Sequence, residues 1–245
     1  MTARLLVIQH EQDAPAAWLG EWWQAVGLDI DVVRGDLGEP VPARMTDHDG
    51  LVVLGGAMGA CDDAVAPWLA PTRSLIADAV AHGIPTLGVC LGHQLASVAL
   101  GGSIERNPSG RTVGLVTVRL TDAGATDPLL AGLGGQPAVH YNDDVVLEAP
   151  PGSTVLATLP DGRVQALRFG PSAWGVQFHP ETSPEVFGDW LRWDSPDGLS
   201  TDQESLLDTV TAAREALQAA WQPLAERYAT LVGARARVDV SPVTS

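Results

Sequence analysis

The 245-residue chain carries 30 acidic and 14 basic side chains, a formal charge of −16, and every basic residue is an arginine. A net field of that sign repels nucleic acid and anionic membranes, and a chain without lysine has neither a phosphate-loop lysine nor a Schiff-base nucleophile. Hydrophobic residues make up 45% of the sequence, the apolar runs are too short to span a bilayer, and residues 1–10 lack a signal-peptide pattern, so a cytosolic, core-forming protein is expected.

Arg4–Gln9 reads as a buried strand, and Ala14–Val26 as a helix with Trp18, Leu19, Trp22 and Val26 at helical spacing and Gly27 closing it. Asp29–Val33 and Gly50–Leu54 follow as strands, then a helix over Trp68–His82 between Pro67 and Gly83. Pro85–Val89 is a strand that runs almost without a loop into a helix over Gly92–Leu100. Strands are then expected at Val113–Leu120, Val139–Tyr141, Val145–Leu147, Thr154–Thr158, Val164–Phe169 and Ala173–Phe178, before a helix over Pro184–Arg192. Strand alternating with helix predicts an open α/β fold around a largely parallel sheet, here over residues 1–193.

Residues 194–200 read as a polar linker, and Thr201 with Glu204 forms a capping-box pattern. Leu206, Val210, Ala213, Leu217, Trp221, Leu224, Tyr228 and Leu231 then repeat every three or four residues: one amphipathic helix, or two split near Pro223. This stripe either packs on the main domain or serves as a homodimer or partner surface. The end of the 201–245 segment, after Gly233, is expected to be mobile.

Within Thr86–Gln94, an apolar strand ends in Gly88-Val89-Cys90-Leu91-Gly92 and a helix begins at once. That is the cysteine form of a nucleophile elbow, whose flanking glycines avoid clashes with the neighbouring chain. The helix N-terminus favours a thiolate at Cys90, and the Leu91 N–H points where an oxyanion forms. On its own the pattern leaves a packed cysteine and a catalytic one equally open. The other cysteine, Cys61, is not expected to pair with it in a cytosolic chain.

Trp174–Glu181 is a strand running into His179-Pro180-Glu181. Pro180 forces an extended backbone at His179, and Glu181 is close enough to orient the imidazole. With Cys90 these residues make a cysteine–histidine–carboxylate set. No metal-ligand spacing is present, so neither a metal nor a cofactor is expected. His10 and His140 end strands and border the same cleft, His93 packs in its helix or sits at the cleft rim, and His48 and His82 read as surface residues.

Gly-Val-Cys-Leu-Gly-His-Gln, with Gly-Val-Gln-Phe-His-Pro-Glu about ninety residues later, resembles class I (triad-type) glutamine amidotransferases. Residues 52–60, Val-Val-Leu-Gly-Gly-Ala-Met-Gly-Ala, look like the family's Gly-Gly loop, and Pro67-Trp68-Leu69 is similar to stand-alone GMP-synthase-like members. The resemblance implies a flavodoxin-like sheet with flanking helices, to which the C-terminal helical segment is an extension. It further implies that Cys90 forms a γ-glutamyl thioester, with His179 as base, Glu181 as its orienter, and Gly56 and Leu91 N–H groups as the oxyanion hole. Gly55, Gln94, Tyr141 and Asn142 would bind substrate. At 140–144 the sequence reads His-Tyr-Asn-Asp-Asp where the family has close to Trp-His-Gly-Asp over the last four positions, which leaves the exact γ-glutamyl amide open.

Three functions follow. The chain is a glutaminase delivering ammonia to a separate synthetase, a free-standing γ-glutamyl hydrolase, or a silent binding module.

Overall fold

The computed structural model describes residues 2–238. Its strands are β1 (Arg4–Gln9), β2 (Asp29–Arg34), β3 (Gly50–Val53), β4 (Thr86–Val89), β5 (Ser103–Arg106), β6 (Thr112–Thr117), β7 (Arg119–Leu120), β8 (Pro137–Asn142), β9 (Asp144–Glu148), β10 (Thr154–Thr158), β11 (Val164–Gly170) and β12 (Ala173–Val176). Its helices are α1 (Ala17–Ala25), α2 (Leu69–Ala81), α3 (Leu91–Ala99), α4 (Asp122–Ala125), α5 (Pro184–Asp194), α6 (Thr201–Ala212) and α7 (Arg214–Val238).

An eight-stranded sheet in the order β2-β1-β3-β4-β12-β11-β10-β7 organises the chain. β2, β1, β3, β4 and β12 are parallel, and β11, β10 and β7 add an antiparallel wing. The parallel part has the doubly wound order in which sites gather at the carboxyl ends of the strands, where the connections diverge. β3 and β4 are buried at every position, which is why they read as unbroken apolar runs. Two short ribbons, β5–β9 and β6–β8, stand beside the main sheet.

The sheet separates two cores. One contains Ile8, Leu51, Leu75, Ile76 and Leu95, beneath α2 and α3. The other joins Trp18, Leu19 and Trp23 of α1 to Leu217, Trp221, Leu224 and Tyr228 of α7 across the opposite face. Tyr228 donates its hydroxyl to the carbonyls of Leu51 (2.7 Å) and Pro85 (2.9 Å), and Trp23 Nε1 donates to the Ala225 carbonyl (3.1 Å). The C-terminal apolar stripe therefore packs on the sheet.

Several sequence expectations are corrected. The Val113–Leu120 segment is two strands in different sheets, β6 pairing with β8 and β7 with β10. β12 ends at Val176, two residues early, because the chain crosses to β8, where His179 forms an isolated antiparallel bridge with Val139. The helices part at Ala213 (φ −87°, ψ 1°), and α7 runs through Pro223, which forfeits a single backbone hydrogen bond. The capping box is Ser200 with Gln203, one residue before the expected pair. Asp194 belongs to α5 rather than to the linker, and helix continues past Gly233 to Val238; the rest of the expected mobile tail lies outside the described residues. Among the described residues no helix is long and apolar enough to cross a membrane.

Trp221 also packs on Phe178, the neighbour of His179, with ring centroids 4.7 Å apart. Trp221→Ala should cost about 3–5 kcal/mol and lower the melting temperature by roughly 10 °C, as read by calorimetry. An unchanged melting temperature would place the helix outside the cooperative core.

Candidate active site

Four strand ends supply the site. β4 delivers Cys90 as the N-cap of α3, with φ 48° and ψ −103°, a left-handed backbone on a residue with a β-carbon. Such strain persists only when its surroundings enforce it. Here they do: a β-carbon on Gly88 would sit 2.5 Å from the Gly92 carbonyl oxygen, and one on Gly92 2.0 Å from that of Val53. Both glycines of the sequence pattern are sterically obligatory. The Cys90 N–H bonds the Val176 carbonyl at 2.8 Å and the Gly92 N–H bonds that of Leu54 at 3.1 Å, which fixes the turn between two strands.

The crossing from β12 to β8 brings His179 opposite Cys90. His179 N–H donates to the Val139 carbonyl (2.8 Å), and its Nδ1 lies 2.7 Å from Glu181 Oε1. Both side chains are buried, and Nε2 has no hydrogen-bond partner among the described residues. Burial opposes the imidazolium, but the Glu181 carboxylate and the neighbouring Cys90 outweigh it and raise the His179 pKa to about 10. Trp190 covers the imidazole at 4.7 Å, and the Glu181 carbonyl accepts from Trp18 N–H at 3.1 Å.

The loop after β3 closes the arrangement. A β-carbon on Gly55 would lie 3.0 Å from His179 Cε1 and 3.7 Å from Cys90 Cβ; one on Gly56 would meet Leu91 Cδ2 at 3.0 Å and His10 Cβ at 3.1 Å. Gly55 and Gly56 thus adjoin both halves of the cysteine–histidine pair and the start of α3. Cys90, His179, Gly56, Gln94, Tyr141 and Asn142 line one cleft of about 400 Å³.

The side chains expected to bind substrate are partly engaged within the protein. Gln94 Nε2 donates to the Asp144 carbonyl (3.0 Å) and to Gln177 Oε1 (3.3 Å). Tyr141 lays its ring against Phe187 and Trp190 and donates its hydroxyl to Asp194. Asn142 Nδ2 donates to the Asp144 carbonyl (3.1 Å). Asp143, which departs from the family pattern, pairs with Arg111 (2.6 Å) and Arg106 (3.1 Å), and these arginines hold its carboxyl below the usual range. Its added charge is therefore compensated inside the wall of the cleft.

Sequence reasoning missed Gln177, whose Nε2 lies 3.6 Å from Cys90 Sγ. Its spacing two residues before His179 was the available signal. It also missed Glu11, which accepts the Ala57 N–H at 2.9 Å. His10 and His140 are buried beside the cleft rather than lining it, and His93 is buried against Phe169 and Gly175.

Burial lowers the pKa of His10 to about 4, and those of His93 and His140 to about 3, with His179 adding to the effect on His140. Unfolding frees these groups to titrate near 6.5, so the unfolded chain binds protons first as the pH falls. Their stabilisation is complete above 6.5 and is lost toward the folded values, at about 1.4 kcal/mol per pH unit for each. Glu11, raised to about 7 chiefly by burial, opposes part of this between 4.5 and 7. The melting temperature should therefore fall steeply from pH 6.5 to 4.5, less so in His93→Gln; a flat profile would contradict neutral, buried imidazoles.

The sequence pattern described as "Glutamine amidotransferase class-I" matches residues 20–192. A glutamine-hydrolysing GMP synthase subunit of Saccharolobus solfataricus is 44% identical over 118 residues, covering 44% of this chain and 59% of its own. The chain thus matches about three fifths of that relative's length. The glutamine amidotransferase-like protein YfeJ of Salmonella typhimurium is 30% identical over 191 residues, 75% of this chain and 77% of its own. A glutamine amidotransferase crystal structure from Thermotoga maritima superposes with a TM-score of 0.83 over 94% of this chain and 99% of its own, at 24% identity, and one from Methylobacillus flagellatus gives 0.82 over 94% and 96%, at 23%. These two likenesses show the fold: a mostly parallel mixed sheet with flanking helices. The matched pattern spans well over half of the sequence, and the chain belongs to the class-I glutamine amidotransferase family.

Proposed function

We propose that the chain hydrolyses the side-chain amide of glutamine through Cys90, His179 and Glu181, releasing glutamate and ammonia. The observation that carries this reading is the strained Cys90 turn facing the buried His179–Glu181 pair across a single cleft. Cys90 Sγ attacks the amide carbon as a thiolate, with its proton held on His179 Nε2, where the raised pKa of the imidazole keeps it. The carbonyl oxygen becomes an oxyanion beside the Gly56 and Leu91 N–H groups. As it collapses, His179 returns the proton to the departing nitrogen and ammonia leaves a γ-glutamyl thioester. Water, deprotonated by His179, adds to the thioester, and collapse of that adduct frees glutamate and returns Sγ as a thiolate beside the protonated His179. Glu181 holds Nδ1–H and so keeps Nε2 directed at sulfur. Relatives named as glutamine-hydrolysing GMP synthase subunits support a role for the released ammonia in a separate synthetase.

A second reading, hydrolysis of larger γ-glutamyl amides, is favoured by the volume of the cleft and by Trp193, 67% exposed at its rim. Steady-state glutamate release from L-glutamine and from γ-glutamyl ethylamide separates the two. Turnover of glutamine at least as fast as of the ethylamide is expected. Fast turnover of the ethylamide with none of glutamine would overturn the first reading, and turnover of neither would leave a silent module.

A further inference from the structure

The segment that follows β1 has no role in the chemistry above, yet it supports the loop that carries Gly56. Gln9, nearly buried, donates Nε2 to the Glu11 carbonyl at 2.7 Å and so fixes the backbone beyond the strand. His10 lies beneath Gly56 and accepts a hydrogen bond at Nδ1 from Trp68 Nε1 (3.0 Å). Trp68 in turn lies over Gly35, where a β-carbon would come within 2.4 Å of its ring. Above this stack, Glu11 reaches across the cleft wall and accepts the Ala57 N–H at 2.9 Å. A carboxylate bond to a backbone N–H is among the stronger neutral-donor bonds, and it fixes the peptide plane next to Gly56.

We infer that Glu11 is a positioning residue: its carboxylate clamps Ala57 and thereby holds the Gly56 N–H where the oxyanion forms. This rests on the hydrolytic reading of the site. An N–H that stabilises charge only in the transition state acts through its placement, and an error near 1 Å is worth about 100-fold in rate. Loss of the clamp should therefore appear in kcat and leave KM nearly unchanged. Glu11 sits among Asp13 on its own segment, Asp62 on the loop side of the cleft, and Asp36 after β2, which is paired with Arg34 at 2.6 Å. His10 beside it stays neutral at working pH. Burial and Asp13 raise the Glu11 carboxyl to about 7 against the opposing pull of Ala57 N–H. The clamp therefore weakens as the pH drops below neutrality, because a protonated carboxyl is a poorer acceptor than a carboxylate.

The test is the pH profile of kcat and KM for glutamine in the wild type, Glu11→Gln, Glu11→Asp and Glu11→Ala. The amide of Glu11→Gln keeps an acceptor oxygen at the same reach, so its kcat should return to within about threefold of wild type and lose the acid limb near pH 7. Glu11→Asp keeps the charge but is one methylene short, and with Glu11→Ala it should lose about 10- to 100-fold in kcat with KM within threefold. Should Glu11→Ala unfold, Glu11→Asp carries the comparison. A rise in KM with kcat unchanged would mean that Glu11 touches the substrate, and wild-type kcat in Glu11→Asp would mean that no clamp exists; either overturns the inference. A wild-type chain that hydrolyses no glutamine at any pH would instead remove the underlying reading.

Discussion

Cys90→Ala should leave the chain folded and lower glutamine hydrolysis by at least about 10⁴-fold. Alanine keeps the β-carbon, so the φ of 48° costs the variant no more than it costs cysteine, and the glycines at 88 and 92 still relieve the turn. Losing one buried sulfur costs on the order of 1 kcal/mol, well inside the stability of a domain this size. The proposed acyl-enzyme route, by contrast, has no substitute for its nucleophile. Cys61 is exposed, and Cys61→Ala should change neither stability nor turnover. Glutamate release by both variants, with circular dichroism melts alongside, makes the comparison; wild-type turnover in Cys90→Ala would exclude the thioester route.

His179→Ala should cost about 10³- to 10⁴-fold in kcat, and Glu181→Ala roughly 10- to 100-fold. The order follows from position. In the proposed mechanism His179 moves protons at sulfur and at the leaving nitrogen, whereas Glu181 reaches the imidazole at Nδ1 alone, at 2.7 Å. Glu181 is also one of the groups that raise the His179 pKa toward 10. Its removal should shift that pKa down, because the imidazolium loses its carboxylate while its burial remains. Parallel pH profiles of wild type and Glu181→Ala check this; equal losses in the two alanine variants would assign Glu181 a direct part in proton transfer.

Much of this site was legible because its parts are local. Gly88-Val89-Cys90-Leu91-Gly92 encodes its own turn, since the two glycines answer clashes built into that geometry. His179 and Glu181 meet across a single proline, and β1, β3 and β4 announce themselves as buried apolar runs. The rest depends on distant residues. Asp143 is neutralised by arginines 32 and 37 residues earlier in the chain, so its local sequence signals an uncompensated charge that the fold removes. The break at Ala213 carries no glycine or proline, while Pro223, the obvious breaker, is held in helix by the packing of α7 on the sheet. Val113–Leu120 is continuous in pattern, yet β6 and β7 pair with different sheets. Glu11 matches no motif; only the contact to Ala57, 46 residues away, marks it.

The central claim, a glutamine-hydrolysing site built on Cys90, is tested most directly with a glutamine-mimicking electrophile and mass spectrometry of the intact and digested chain. One adduct is expected, on the peptide bearing Cys90, absent from Cys90→Ala and suppressed by excess glutamine. An adduct on Cys61, or labelling of Cys90 that glutamine fails to suppress, would contradict it.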